Sequence, residues 1–122
     1  MKKAKGYVDC FLMVIPKKNI PEYKKIAKMF GEAMEKYGAL EYREFIGDDT
    51  PKNMYPALMK VKRNEVLITS IVGFKSKKHR EQINKKFIKD PKMNEMMEEL
   101  NKKSLFDMSR MMYGGFKTIV EM

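Results

Sequence analysis

Between Gly6 and Pro16 the chain strings Tyr7, Val8, Cys10, Phe11, Leu12, Met13, Val14 and Ile15 into a nearly unbroken apolar series, with Asp9 the single charge inside it. A strand with one face in water alternates apolar and polar residues, whereas a strand apolar at both parities must be covered on both faces. Phe11, Met13 and Ile15 lie at one parity and Val8, Cys10, Leu12 and Val14 at the other. Any fold for this chain has to supply two covers for this strand.

Helical signals follow at once. Asn19-Ile20-Pro21-Glu22 has the spacing of an N-terminal capping box with proline in the first turn, so Asn19 is expected to cap a helix there. Ile20, Tyr23, Ile26, Ala27, Phe30, Met34 and Tyr37 recur at steps of one, three and four, which gathers them into one stripe, and Gly38 is placed to end the helix in a left-handed cap. Ala39 to Gly47 alternates as a second strand: Leu40, Tyr42, Glu44 and Ile46 point one way, and Glu41, Arg43 and Phe45 the other. Asp48 to Asn64 is rich in turn residues and reads as a long connection, with a short extended piece at Ala57 to Val61. Glu65 to Lys75 is the third strand. Ser76 caps a second helix that runs through Lys89 with His79, Ile83, Phe87 and Ile88 on its inner side, and Asp90-Pro91 breaks it and starts a third helix edged by Met93, Met96, Met97 and Leu100. Arg110 to Glu121 is expected to close the chain as a strand interrupted by Gly114-Gly115, where a bulge or a close approach is allowed.

The order βαββαβ is the ferredoxin-like split arrangement, an α+β fold in which helices cover one face of a four-stranded antiparallel sheet. The helices leave the other apolar face of the first strand in water, so a homodimer packed sheet to sheet as a dimeric α+β barrel is the expected cover. With 122 residues and 43% hydrophobic content the chain fits a single domain, 1–122, with no room for a second core. Its longest apolar run, Cys10 to Ile15, falls far short of the roughly 20 residues of a membrane helix. The start Met1-Lys2-Lys3 lacks the apolar stretch of a signal peptide, so no membrane association and a cytoplasmic protein are expected. One cysteine, Cys10, and one histidine, His79, exclude an internal disulfide and multi-residue Cys or His metal sites within a single chain, and no metal or other cofactor is assigned.

The balance of 26 Lys plus Arg against 16 Asp plus Glu gives a net charge of +10 and invites a nucleic-acid reading. Only four of the 26 are arginine, and lysines such as Lys77, Lys78, Lys85, Lys86 and Lys89 fall where a helix faces water. Recognition of phosphates and bases favours the guanidinium fork, so a solvated coat accounts for the charge and nucleic acid is disfavoured as a partner.

Polar groups in apolar settings mark candidate sites, because a buried charge without a partner is costly. Asp9, on the apolar first strand, and His79, which titrates nearest neutrality, form one candidate proton-transfer pair, with Tyr113 as a third catalytic candidate. Glu44 sits on the apolar parity of its strand while Arg43 lies opposite, and Glu44, Arg43 and Met112 are candidates for ligand contacts. Adjacent Asp48 and Asp49 are turn chemistry rather than a cation site. Of 13 methionines, Met93, Met96, Met97, Met108, Met111 and Met112 crowd the last third, where flexible thioethers suit core packing or an adaptable apolar cavity. Together these features suggest a small, partly apolar ligand and leave open a cofactor-free enzyme. The alternative is a non-enzymatic module, either stress-associated or a weak binder of polyanions.

The blocks Tyr7-Val8-Asp9-Cys10-Phe11, Gly38 to Glu44, Gly47-Asp48-Asp49, Lys75 to Arg80 and Met112-Tyr113-Gly114-Gly115-Phe116 resemble, as a set, the bacterial YbaA-like family of unknown function. The resemblance covers nearly the whole chain. It implies the dimeric α+β barrel superfamily, whose members include small monooxygenases, heme-degrading enzymes, muconolactone isomerases and stress-response barrels. It therefore agrees with the fold read from the residues and brings no particular reaction with it.

Overall fold

The computed structural model describes residues 6–122, so the Met1-Lys2-Lys3 start used above lies outside the described residues. Strand β1 spans Tyr7–Pro16 and leads through a single 3-10 turn into helix α1, Ile20–Lys36. Strand β2 follows at Glu41–Ile46, a one-turn helix α2 at Tyr55–Leu58 and strand β3 at Glu65–Phe74. Helix α3 (Lys77–Ile88), helix α4 (Pro91–Lys103) and strand β4 (Met112–Lys117) complete the chain. The sheet order is β2-β3-β1-β4 with every pair antiparallel, the ferredoxin-like topology.

Cross-strand register assigns each residue a face. Phe11 faces Ser70 and Tyr113, while Met13 faces Ile68, so the odd residues of β1 share a side with the even residues of β2 and β3. That side takes the helices: Met13, Ile15 and Ile68 pack with Tyr23 and Ala27 of α1, and Val72 and Phe74 pack with Met34 and Ile83. The stripe on α1 is buried as its spacing requires, and α4 adds Met93 and Met96 against Ile26 and Ala33. Gly38 has a φ of +108°, and the amides of Gly38 and Ala39 close back on Glu35 and Met34, ending α1 as expected. Ser76 and Asp90 cap α3 and α4 through their side chains.

Several expectations are corrected. Asn19 does not cap α1 with its side chain, because the preceding 3-10 turn already delivers the chain in helical geometry; its Nδ2 donates instead to the Leu105 carbonyl at 2.9 Å. Glu22 does not complete a capping box and pairs with Lys103 at 2.6 Å. The piece at Ala57 to Val61 is not extended: Pro56 lies in the first turn of α2, Lys60 takes a positive φ of 55°, and buried Met59 packs on Val14 and Leu67. The final strand stops at Lys117, since its sole neighbour, β1, begins at Tyr7, and Ile119 and Val120 are exposed beyond it. At its other end, Arg110 sits in a 3-10 turn rather than in the strand.

Ile88 is 65% exposed, whereas Ile83, one and a half turns earlier on the same helix, is 1% exposed. Ile83→Ala is expected to cost about 2–5 kcal/mol of stability through lost contacts and a residual cavity, and Ile88→Ala to stay within about 0.5 kcal/mol. Urea unfolding of both variants measures the contrast; equal losses would contradict the assigned faces.

Candidate functional site

Two polar clusters interrupt the helix-covered face, and an apolar depression marks the open one. The first cluster belongs to Glu44. Register sets Glu44 directly opposite Ser70, and α1 brings Tyr23 over both. Glu44 Oε1 accepts from the Tyr23 hydroxyl at 2.8 Å and from Ser70 Oγ at 2.8 Å, while Oε2 accepts from the hydroxyl of Tyr42, two residues earlier on the same face. Gly31 of α1 leaves the room that the Tyr42 ring occupies, since a Cβ there would overlap the ring. Burial first, and then the Glu44 carboxylate, pushes both phenols well above the usual tyrosine range, so both remain protonated donors.

This cluster is the polar end of a chamber of about 170 Å³ between the sheet and the helices. Apart from Asn101 of α4, its other walls are apolar: Phe11 and Met13 from the sheet, Ala27 and Phe30 from α1, Met96 and Leu100 from α4, and Phe106, Met108 and Met111 from the strap joining α4 to β4. Phe106 meets the Tyr23 ring edge to face at 6.2 Å, and Phe30 lies 5.5 Å from the Tyr42 ring. Arg110 holds the strap in place. Its Nη2 donates to Glu65 at 2.6 Å, Nη1 donates to Glu65 and to the Lys60 carbonyl, and Nε donates to Asp107 at 2.9 Å.

The second cluster centres on Asp9, whose side chain is 7% exposed. Its partner is Arg80 of α3, with Nε 3.3 Å from Oδ1, an ion pair whose N–H is not aligned along the contact, so neither atom gains a hydrogen bond. Arg80 also donates to the Tyr7 hydroxyl at 3.0 Å and to Glu81 at 2.7 Å. Gly115 makes this possible without a bulge: it pairs regularly with Asp9, and a Cβ there would overlap the Tyr7 hydroxyl and Arg80. Burial raises the Asp9 pKa, while Arg80 and the nearby Tyr113 hydroxyl act in the opposite direction. Neither Asp9 nor Arg80 lines the chamber beside Glu44.

The structure thus brings Asp9 and Tyr113 together and leaves His79 apart. His79 Nδ1 accepts the Lys75 amide at 3.0 Å, which puts the proton of the neutral ring on Nε2, and the ring packs edge-on against Phe74. Burial, then the charges of Lys75 and Lys86, lowers its pKa. The expected Asp9–His79 pair is replaced by Asp9–Arg80, because the residue after His79, and not His79 itself, is turned toward β1. Arg43 and Met112 lie on the open face. Arg43 is 60% exposed, stacks on Phe45 and stands 3.9 Å from Glu41. Met112 joins Cys10, Leu12, Phe45 and Phe116 around a depression of about 590 Å³ on that face. Tyr23, Tyr42, Ser70 and Arg80 were missed as site residues; the one available signal was that Tyr42 and Ser70 stand at core parity in otherwise apolar strands. Among the described residues no group of three or more His, Cys, Asp or Glu could hold a metal ion, and no helix is long and apolar enough to cross a membrane.

Residues 6–108 match the family described as "Protein of unknown function (DUF1428)". The chain belongs to that family. It is 30% identical over 118 residues to the uncharacterized protein YbaA of Escherichia coli K12, covering 94% of this chain and 97% of that one. Among solved structures it is similar to a NIPSNAP-family protein of unknown function from Agrobacterium tumefaciens, with a TM-score of 0.62, 18% identity and coverage of 96% and 91% of the two chains. A dimeric ferredoxin-like protein from an uncultured marine organism matches with a TM-score of 0.53 and 12% identity, over 97% of this chain and 91% of that one. These likenesses establish the fold for this DUF1428 member and no activity.

Hydrogen bonds from Arg110 lower the Glu65 pKa to about 2, and those from Ser109 and Arg110 lower that of Asp107 to about 2. A carboxylate depressed in the folded state stabilises it above the unfolded pKa and loses that contribution as pH falls through the folded value. Stability is therefore expected to decline between about pH 4.5 and about pH 2, and Glu65→Gln to flatten the upper part of that decline. Urea midpoints near neutrality and at about pH 3 for both proteins give the comparison, and an unchanged slope would refute a role for the Arg110 clasp.

Proposed function

We propose that this DUF1428 protein is a homodimer, paired through the open face of its sheet, that binds a small, partly apolar molecule in the chamber between the sheet and its helices. The single observation behind the ligand reading is Glu44: a carboxylate with three hydroxyl donors stands at one end of a chamber whose other walls, Asn101 apart, are hydrocarbon, aromatic rings and thioethers. An apolar cavity with a few convergent polar groups is the usual form of a small-molecule site. A volume of about 170 Å³ suits a ligand of roughly the size of a single ring with a short substituent. Asp9 and Tyr113 belong to a supporting cluster at the β1–β4 edge in this reading, and Glu44 takes the part of the orienting residue.

The dimer reading rests on the open face. The segment around Met59 covers only the Val14–Leu67 end, and Phe45, Met112 and Phe116 are 37%, 46% and 57% exposed at the other. A contiguous apolar face of this kind is covered in solution by a partner surface. The dimeric state ascribed to the ferredoxin-like neighbour supports a second copy as that partner.

Calorimetric titration with uncharged aromatic probes, indole and 2-phenylethanol, tests the chamber. Binding is expected for the wild type and loss of at least about tenfold in affinity for Leu100→Trp, which fills the wall. If no probe binds, and mass spectrometry of the purified protein finds no retained small molecule, the chamber is not a binding site. Sedimentation velocity tests the pairing: twice the 14.4 kDa of one chain is expected, with dissociation in Phe116→Lys. A monomer at every concentration would reject the dimer.

A further inference from the structure

The geometry points to a protonated amine on an apolar, preferably aromatic, body as the ligand class of the chamber, an inference that rests on the proposal that the chamber binds a small molecule. The argument begins with how this protein treats its other sheltered carboxylates. Asp9 and Glu65, 7% and 8% exposed at the side chain, each face a guanidinium, Arg80 and Arg110 respectively, and the partly buried Asp90, held by the Tyr37 hydroxyl and the Lys92 and Met93 amides, has the positive end of the α4 dipole to offset its charge. Glu44 does not. Its three partners are neutral hydroxyls, and among the described residues no Lys, Arg or His nitrogen forms an ion pair with it. Lys24, Lys28 and Arg43 border an outer groove that Glu44 also touches, yet none of them forms an ion pair with it, and Arg43 stands beside Glu41 instead.

Hydroxyl donors replace much of the water lost by a sheltered carboxylate but leave its charge uncompensated. An ammonium group supplies that charge and finds acceptors already in place. The second oxygen, Oε2, accepts only one bond from the protein, and the Tyr23 and Tyr42 phenols, held protonated as donors to Glu44, each keep a lone pair for an incoming N–H. The remaining walls favour the same ligand. Aromatic rings attract a desolvated cation through their faces, and the thioethers of Met96 and Met111 adapt to the shape of its apolar body. Anionic ligands meet the reverse: a fixed carboxylate at the polar end and no cation within the walls to offset it.

Three isosteric probes decide the class. 2-Phenylethylamine, 2-phenylethanol and phenylacetate are titrated calorimetrically into the full-length protein at neutral pH. The amine is expected to bind at least about tenfold more tightly than the alcohol, and phenylacetate most weakly. In Glu44→Gln the amine loses its advantage, so that amine and alcohol affinities converge to within about twofold of each other. Should that variant fail to fold, Glu44→Asp, which keeps the charge but withdraws it by one methylene, lowers amine affinity several-fold more than alcohol affinity. Equal affinity of amine and alcohol in the wild type, or strongest binding by phenylacetate, overturns the amine assignment and leaves the binding reading standing. Binding of none of the three removes the chamber as a ligand site, and the amine assignment with it.

Discussion

The structure depends on the requirement that β1, apolar at both parities, be removed from water on both sides. Its position second from one edge of the sheet, between β3 and β4, satisfies the backbone, and α1 and α3 satisfy the odd parity with a packed core in which Ile15, Val72, Phe74 and Ile83 are essentially inaccessible. The even parity is met unevenly. Val14 is fully covered because Met59 folds onto it from the long connection, whereas Cys10 and Leu12 stay half-buried above the open depression. The two faces of one strand therefore have different fates: one becomes the core, and the other becomes the surface on which the proposed pairing rests.

Within the core, polar chemistry is confined to two places where a strand places an acid at core parity. The two acids are handled differently. Asp9 is matched by an arginine from α3, and the match consumes the space that Gly115 leaves and the hydroxyl of Tyr7. Glu44 is matched by hydroxyls alone, and it adjoins a void that the helices do not fill. A buried charge completed within the protein is structural economy of one kind; a sheltered charge next to empty apolar volume is the arrangement expected of a recognition group. The methionines fit the second case, since Met96 and Met111 line the void as well as the core around it.

The strap from Ser104 to Met111 connects these features. It supplies Phe106, Met108 and Met111 to the chamber, and it is fastened at one end by Asn19 on the Leu105 carbonyl and at the other by Arg110 on Glu65 and Asp107. Asp90, which caps α4 and accepts from the Tyr37 hydroxyl, fixes the helix from which the strap departs. The chamber is thereby bordered by a segment whose only regular structure is the 3-10 turn at Met108–Arg110, held by side chains rather than by a strand ladder.

Much of this architecture is written in local patterns. Period-2 alternation placed Glu44 and Arg43 on opposite faces of β2, the 3.6-residue stripe on α1 predicted its buried side, and Gly38, Ser76 and Asp90 mark helix ends by chemistry that acts over three or four residues. Patterns of that range specify which face a residue joins, and with six elements in the order βαββαβ they specify the topology. They do not specify who meets whom across elements. Glu44 gathers a tyrosine 21 residues before it and a serine 26 residues after it, and Asp9 finds Arg80 rather than His79, outcomes set by strand register and by the rotation of α3 about its axis. The final strand likewise ended where its neighbour ended, a limit imposed from outside its own residues. Sequence alone determined the elements and their faces, because those follow from backbone periodicity and apolar burial; tertiary structure decided the partners of each charge and the unfilled volume beside Glu44, because both depend on distances that no local pattern encodes.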